Sequence, residues 1–295
     1  MLRALVLSLA IILAAITSGY AAGTPLAANS SKNIESEKPT PKSDSAAGAA
    51  SGEDTAAENE LLEAANRSRE VAGVPPLRLE NSLREAARAH ALRMIAFQRL
   101  EHQFAGEPAL LERIGLVSLL KIDRVGENVA FASSAAAVNV VLMNSAPHRE
   151  NLLDRGFNVA GVAAIWSQGK LYVVQDFAHD LPSYSADESR ARVERAVAEM
   201  RQQAGLPELA HLRPANLDDA TCSLARENRP NAHQLAVAYN NRRIITYTQS
   251  HPEIIPAEAT RLLDDPEVRQ FAVGVCYAGN AAYPTGMYWV AILLY

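Results

Sequence analysis

Three side chains in separate segments of the sequence have the types best suited to chemistry: His102, Glu127 and His148. Two imidazoles and a carboxylate that converge could bind Zn²⁺ and leave a coordination position for water. The glutamate could instead hydrogen-bond an imidazole N–H and fix its tautomer, so that only the histidines bind the metal. Spacing alone also allows a third role, in which all three are surface or capping groups.

Three further polar residues lie beside them and are candidate ligand-binding groups: Asn128, Ser145 and Arg149. Asn128 belongs to the stretch GENVAF, residues 126–131. This stretch is typical of a turn ahead of a helix, because glycine adopts unusual φ angles and asparagine bonds its own backbone. Arg149 could bind a carboxylate or phosphate ligand, or it could fasten its loop to a helix end.

The elements that must position these residues are helices followed by antiparallel strands. Apolar residues recur at helical spacing over 61–72 and 83–94, and a shorter helix is predicted over 135–144. Two strand-like runs, FNVAGVAAIW and KLYVVQDFA, are joined by residues 167–169 and predict a hairpin. This order indicates an α+β module of about 125 residues.

The second half of the chain repeats this order. The stretch AGVP at 72–75 recurs as AGLP at 204–207, and the helix NLDDATCSLAREN parallels NSLREAARAHALRM. Internal similarity of this kind predicts a tandem duplication, with modules over 58–182 and 187–295. The second module contains neither Gly-Glu-Asn nor Ser-x-x-His-Arg, so we expect it to keep the scaffold without the site.

The first 57 residues are predicted to lie outside these modules. Residues 1–22 combine a single arginine, an apolar stretch and a small-residue end, which is the anatomy of a signal peptide. The apolar stretch is shorter than the roughly 20 residues that span a bilayer, which favours cleavage over retention as a membrane anchor. Residues 23–57 are polar, contain Pro and Gly, and are predicted to form a disordered linker. We therefore expect an exported protein, periplasmic or extracellular, without a transmembrane span after cleavage.

Composition and charge argue against two functional classes. Hydrophobic residues make up 48% and charged residues 21%, which is typical of a globular chain with a core. The formal net charge is -5 and no dense Lys/Arg run occurs, so nucleic acid is not an expected partner. The sequence also has no Gly-x-Ser-x-Gly elbow, which argues against a serine hydrolase.

The only two cysteines of the chain are Cys222 and Cys276, both in the second module. A disulfide between them would persist in the oxidising surroundings of an exported protein. It could add up to roughly 4 kcal/mol of stability through loop-closure entropy. The alternative is a pair of free cysteines that pack as small apolar residues.

Several motifs occur in a fixed order over Glu58 to Pro182. They are NRSREVAGVPPLRLENSLREAARAHALRMIA, the histidine at 102, GENVAF, MNSAPHRENLL, and the runs VAGVAAIW and YVVQDFA. In this order they resemble the bacterial branch of the CAP superfamily, also called the SCP or pathogenesis-related-1 domain. The resemblance implies an α-β-α sandwich with an open cleft, in which His102, Glu127 and His148 are cavity residues. Many members bind a divalent metal through two cleft histidines, and others bind sterols or fatty acids.

The sequence departs from the family pattern at one place in the cleft. Many eukaryotic members carry a second cavity glutamate in the helix before the second histidine, where this chain has Asn144 and Ser145. A single carboxylate disfavours a strong zinc site and paired acid–base chemistry, because such catalysis generally uses two groups with separated pKa values.

The functional hypothesis that follows is binding rather than catalysis. We expect the first module to bind a small molecule, a lipid or a divalent cation, Zn or Mg, with His102 and His148 as the metal ligands. A second hypothesis is a metal-dependent hydrolase that acts on an ester, a peptide or an envelope polymer. A third is a structural protein that docks a cell-envelope component and has a vestigial cleft. In each case 187–295 is interpreted as a degenerate CAP-like module.

Overall fold

The computed structural model describes residues 52–228, 232–241 and 243–295, which form two modules. The predicted signal segment, 1–22, and most of the predicted linker lie outside the described residues. The first described element begins at Gly52, ahead of the predicted boundary at Glu58. The reason is that a short strand at 52–53 pairs with the main sheet and the Asp54 side chain caps the first helix by accepting from the Ala57 amide.

The first module follows the predicted order of helices before antiparallel strands. In chain order its elements are β1 (Gly52–Glu53), α1 (Thr55–Val71), β2 (Arg78–Leu79), α2 (Asn81–Phe97), α3 (Leu110–Gly115), β3 (Ile122–Ala132), α4 (Ala135–Asn144), α5 (Ala146–Leu153), β4 (Val159–Ser167) and β5 (Lys170–Asp180). The sheet has the order β1-β4-β5-β3, and β2 pairs in parallel with β4. Within the described residues β3 is therefore an edge strand, with one long side against β5 and the other open.

Helices cover both faces of this sheet, which gives the α-β-α sandwich that the resemblance implies. Because side chains alternate along a strand, Val129 packs with Met94 on the α2 face. Its neighbour Ala130 packs with Leu61 and Leu142 on the face covered by α1 and α4. The α+β prediction is therefore confirmed, and each position of β3 belongs to one of the two layers.

The predicted hairpin is confirmed, whereas the predicted turn at GENVAF is wrong. Gln168 and Gly169 connect β4 and β5 with φ angles of 50° and 73°, as a tight hairpin turn requires. The stretch 126–131 lies inside β3 and pairs with β5 along its whole length. Gly126 is needed there for space rather than for an unusual φ, since a Cβ would lie 2.8 Å from the Phe157 ring.

The second module has the same strand connectivity as the first. Its elements are α6 (Ala186–Gln203), β6 (Ala210–Leu212), α7 (Leu217–Arg226), α8 (Ala232–Ala238), β7 (Ile244–Gln249), a 3₁₀ turn (Ala257–Ala259), α9 (Thr260–Leu263), β8 (Gln270–Asn280) and β9 (Tyr283–Leu294). The sheet order β6-β8-β9-β7 matches β2-β4-β5-β3, including the parallel pairing of the first strand. A buried arginine recurs too: Arg69 Nε donates to Pro75 O at 2.7 Å, and Arg201 Nε donates to Pro207 O at 2.9 Å.

The two cysteines form the predicted disulfide. It joins Cys222 on α7 to Cys276 on β8, with the two Cα atoms 5.1 Å apart. The bridge therefore attaches a helix of the second module to the strand that lies beneath it. Among the described helices, none combines the length and the apolar character needed to cross a membrane.

Candidate functional site

Edge strand β3 positions Glu127 at the boundary between the two helical layers. Glu127 lies on the same face as Val129, toward α2, whereas Asn128 points toward α5. Residues that approach from either layer can therefore meet beside the open edge of β3. The cleft is defined here by His102, which follows α2, by Glu127 on β3, and by His148 on α5.

Glu127 holds His102 in one orientation. His102 Nδ1 lies 2.9 Å from Glu127 Oε1, and the carboxylate is buried, with 4% of its side chain exposed against 49% for the imidazole. The other carboxylate oxygen accepts from Arg113 Nη2, while Arg113 Nη1 donates to the His102 carbonyl at 3.1 Å. Because the carboxylate accepts at Nδ1, the network assigns the proton to that nitrogen and leaves Nε2 as the exposed lone pair.

His148 is held in place from the other layer. Asn128 Nδ2 donates to the His148 carbonyl at 3.1 Å, and Asn151 Nδ2 donates to the Glu127 carbonyl at 3.1 Å, so α5 is tied to β3. Burial lowers the pKa of His148, and charge on the nearby His102 lowers it further. Among the described residues, His148 Nδ1 is buried without a hydrogen-bond partner. The imidazole is therefore neutral near pH 7, with an unused polar atom.

The other predicted ligand-binding residues make local structural contacts. The Asn128 side chain is fully buried and engaged with His148 and Gln175. Arg149 Nη1 donates to the Met143 carbonyl at 2.9 Å, which is the loop-fastening role that the sequence left open. Ser145 separates α4 from α5 and makes no side-chain cap. None of these three is hydrogen-bonded to His102 or to the Glu127 carboxylate in the described structure.

A second carboxylate, which the sequence reading missed, lies beside Glu127. Asp176 on β5 is directly opposite Glu127 in the strand register and is fully buried. Burial raises the pKa of Asp176 well above its ordinary range, and the charge of Glu127 raises it further. Among the described residues no donor reaches either Asp176 oxygen. Burial next to the Glu127 carboxylate therefore favours the protonated form of Asp176.

His90 and Glu107 extend this pair into a buried charged cluster. His90 is fully buried, as its position on the apolar side of α2 predicts, but its ring is hydrogen-bonded rather than simply packed. Nδ1 lies 2.9 Å from Glu107 Oε1 and Nε2 lies 2.8 Å from the Glu101 carbonyl. Burial opposes ionisation of Glu107, but hydrogen bonds from the Phe104 amide and His90 outweigh it and lower its pKa. The charged cluster thus comprises His90, Glu107, Arg113, Glu127 and Asp176.

The sequence contained only faint signals for the missed members of this cluster. Asp176 interrupts the apolar strand run YVVQDFA, and an acid in such a run is unusual. Arg113 stands in a short helix between two motifs, 11 residues after His102 and 14 before Glu127, and nothing in its local sequence connects it with Glu127. The expectation of one cleft carboxylate is therefore corrected: the second is on a neighbouring strand instead of the preceding helix.

The second module lacks the charged cluster although it has the same topology. In its sheet, Ala291 pairs with Thr246 on one neighbouring strand and with Gly274 on the other. At the corresponding positions of the first module, Asp176 pairs with Glu127 and with Gly161. Leu224 is buried on α7 at the position that corresponds to His90 on α2. Each of the two residues stands seven positions after a leucine that contacts the strand glycine of its module: Leu217 contacts Gly274, and Leu83 contacts Gly161. The same strand order therefore forms here without ionisable side chains at these described positions.

The cleft has few side chains that could bind a divalent metal. Over the described ranges, no group of three or more His, Cys, Asp and Glu side chains is arranged to hold a metal ion. The cleft has two imidazoles: the Glu127 carboxylate orients His102, and His148 has a buried Nδ1 without a hydrogen-bond partner among the described residues. This set fits a weakly held cation whose remaining positions are taken by solvent or a ligand.

Comparison with known proteins identifies the class to which the first module belongs. Residues 62–177 match the model of the CAP family, described as the cysteine-rich secretory protein family. The first module is a CAP domain of the SCP type, as the motifs predicted. No curated protein matches the chain significantly.

Solved structures of similar proteins come from several bacteria. An outer surface protein from Borrelia burgdorferi is 15% identical with a TM-score of 0.41, over 45% of this chain and 100% of that one. An extracellular protein containing a SCP domain from Bacillus anthracis is 23% identical with a TM-score of 0.38, over 42% and 41%. A cysteine-rich secretory protein from Staphylococcus aureus is 21% identical with a TM-score of 0.33, over 42% and 39%. The chain thus spans about two fifths of the length of the last two.

Proposed function

We propose that the CAP domain binds a divalent cation, with Zn²⁺ favoured, through His102 and His148, and that Glu127 orients the first of these ligands. The observation that carries the proposal is the 2.9 Å contact between Glu127 Oε1 and His102 Nδ1. A carboxylate at one ring nitrogen fixes the tautomer in which the other nitrogen is a free ligand, as in many zinc sites.

The state of His148 supports the same proposal. Metal ligation requires a neutral imidazole, and burial together with His102 lowers the pKa of His148. A cation would also give its buried Nδ1 a partner, which it lacks among the described residues. Imidazole ligands favour Zn²⁺ over Mg²⁺, which prefers oxygen. When bound, Zn²⁺ would supply a Lewis acid with positions open to a small ligand.

The geometry supports binding rather than paired acid–base catalysis. The second carboxylate at the cleft, Asp176, is fully buried behind Glu127 and has no open path to a substrate. Glu127 itself is engaged by Arg113 and His102 on its two oxygens. Neither acid is placed like a general acid or base that meets a reacting group.

We also infer that the protein is exported and that residues 187–295 are a degenerate CAP-like module. The Cys222–Cys276 disulfide supports export, because such bonds persist in oxidising compartments. The shared strand order and the repeated buried arginine support the second inference. Mass spectrometry of protein isolated from its own compartment tests export, since removal of the predicted segment 1–22 would be read directly from the mass.

Zinc titration of the full chain tests the proposed cation site. Isothermal titration calorimetry should detect Zn²⁺ binding that is abolished in His102→Ala/His148→Ala and retained in His251→Ala, a matched histidine variant in the second module. Glu127→Gln should weaken the affinity by about tenfold or more, as loss of a ligand-orienting carboxylate usually does. Equal affinity in the wild type and the double variant would remove the proposal.

A further inference from the structure

The second module contacts the first through the hairpin of β8 and β9. Thr285 Oγ1 donates to the Ile122 carbonyl at 2.9 Å, at the start of β3. At the end of α3, Gly115 packs so closely on this hairpin that a Cβ would lie 3.1 Å from the Pro284 carbonyl oxygen. The hairpin therefore contacts both ends of the segment that runs from α3 into β3.

Lys121 is the centre of this contact. Its Nζ donates to the Tyr288 hydroxyl at 2.8 Å and lies 4.0 Å from the Tyr277 ring centroid and 4.6 Å from the Tyr288 ring centroid. An ammonium group between two aromatic rings is held by cation–π attraction as well as by the hydrogen bond. Lys121 O also accepts from the Leu181 amide at 2.7 Å, so both the side chain and the backbone of this residue are fixed.

The hairpin that contacts this segment has several internal contacts and is bonded to a helix of its own module. Tyr277 Oη donates to the Thr285 carbonyl at 2.7 Å. Gly286 has a φ of 85°, and a Cβ there would lie 2.5 Å from the Tyr277 ring. Cys276, the residue before Tyr277, is bonded to Cys222 on α7. The surface that meets Lys121 is thus anchored to the body of the second module.

The helix at the start of this segment contains Arg113, which contacts two of the cleft residues. Arg113 stands on α3 two residues before Gly115 and donates to the Glu127 carboxylate and the His102 carbonyl. A six-residue helix has little stability of its own, so its position depends on what packs against it. The contacts run continuously from the hairpin through α3 and Arg113 to Glu127 and His102.

We propose that the second module is a positioning element of the cleft: Lys121 and the β8–β9 hairpin hold α3 so that Arg113 keeps Glu127 and His102 in their binding geometry. This inference rests on the proposed cation site. It gives a physical role to a module that has lost the charged cluster itself. Lys121, Tyr277, Thr285 and Tyr288 are positioning residues, since none of them lies in the cleft.

The test compares two lysines that make similar contacts in different places. Lys121→Met/Thr285→Val removes the two hydrogen bonds and the cation–π contacts that join the modules at this place. Lys170→Met removes a cation–π contact to Phe131, 4.4 Å from the ring centroid, beside the β4–β5 turn. In the full chain, the double variant should bind Zn²⁺ about tenfold more weakly, whereas Lys170→Met should stay within about twofold of the wild type. Lys121→Arg, which keeps the cation and the donor, should restore most of the affinity.

A second measurement decides the inference independently of zinc. In protein labelled with ¹⁵N-arginine, solvent exchange of the Arg113 side-chain protons should accelerate in the double variant and not in Lys170→Met. The Arg113 signal is assigned by its loss in Arg113→Gln. Unchanged Arg113 exchange would overturn the inference, and so would unchanged zinc affinity in a protein that binds zinc. A wild type that binds no zinc would overturn only the proposed function. If the double variant does not fold, Thr285→Val alone gives the same comparison.

Discussion

Replacement of Arg113 by methionine should strongly destabilise the CAP domain. The guanidinium is 6% exposed, donates to the Glu127 carboxylate, and lies 3.9 Å from Glu107 Oε2. Methionine retains much of the side-chain volume but leaves these buried acids without the guanidinium that contacts them. Removal of one partner from a buried ion pair costs about 3–5 kcal/mol, because the other charge stays desolvated. We expect a loss of this size in the free energy of unfolding at pH 7.

The sign of the pH dependence follows from the same argument. Arg113 opposes the rise in the pKa of Asp176 that burial and Glu127 cause, so without Arg113 the pKa of Asp176 in the folded state should rise further above its value in the unfolded chain. The folded state then binds more protons than the unfolded state, so the stability of Arg113→Met should fall as the pH rises and recover as it falls. The double variant Arg113→Met/Glu127→Gln should regain most of the loss at pH 7, since it buries no unpaired charge there.

Urea unfolding followed by circular dichroism, between pH 4 and 8, measures these differences. The matched control is Arg67→Met, whose partner Glu63 lies 3.6 Å away in an exposed pair on α1. Exposed pairs of this kind contribute less than about 1 kcal/mol. A loss in Arg113→Met no larger than in Arg67→Met, or a deficit that grows on acidification, would refute the view that Arg113 neutralises the buried acids.

Two further predictions concern Asp176 and the disulfide. In Asp176→Asn the acid with a raised pKa is gone. The wild type loses the stability of that group as the pH rises through its raised folded pKa. In urea unfolding the variant should therefore gain stability relative to the wild type as the pH rises above the ordinary range of a carboxyl group; an unchanged difference would mean that the folded pKa is not raised. Cys222→Ala/Cys276→Ala opens a bridge with a sequence separation of 54 and should lower the free energy of unfolding by about 4 kcal/mol. Reducing agent should leave that variant unaffected while it destabilises the wild type, and a loss below about 1 kcal/mol would show that the bridge constrains little.

The sequence by itself determined the element order and the hairpin, and it singled out His102, Glu127 and His148 as candidate cleft residues. These depend on local signals or on motifs in a fixed order. Gln168-Gly169 matches the backbone of a tight turn wherever it occurs. His102, Glu127 and His148 stand in motifs whose order predicted a CAP domain over 58–182, and the CAP family model matches residues 62–177. The pairing of the cysteines followed as well, because the chain offers a single choice of partners.

Tertiary structure alone decided what surrounds Glu127. GENVAF has turn-forming residues, yet pairing with β5 and the Phe157 ring placed against Gly126 make it a strand. Asp176 became part of the cleft only through the register that sets it opposite Glu127, and Arg113 only through the packing of α3. Such contacts join residues distant in the chain, and their energies depend on burial and distance, which no local pattern contains.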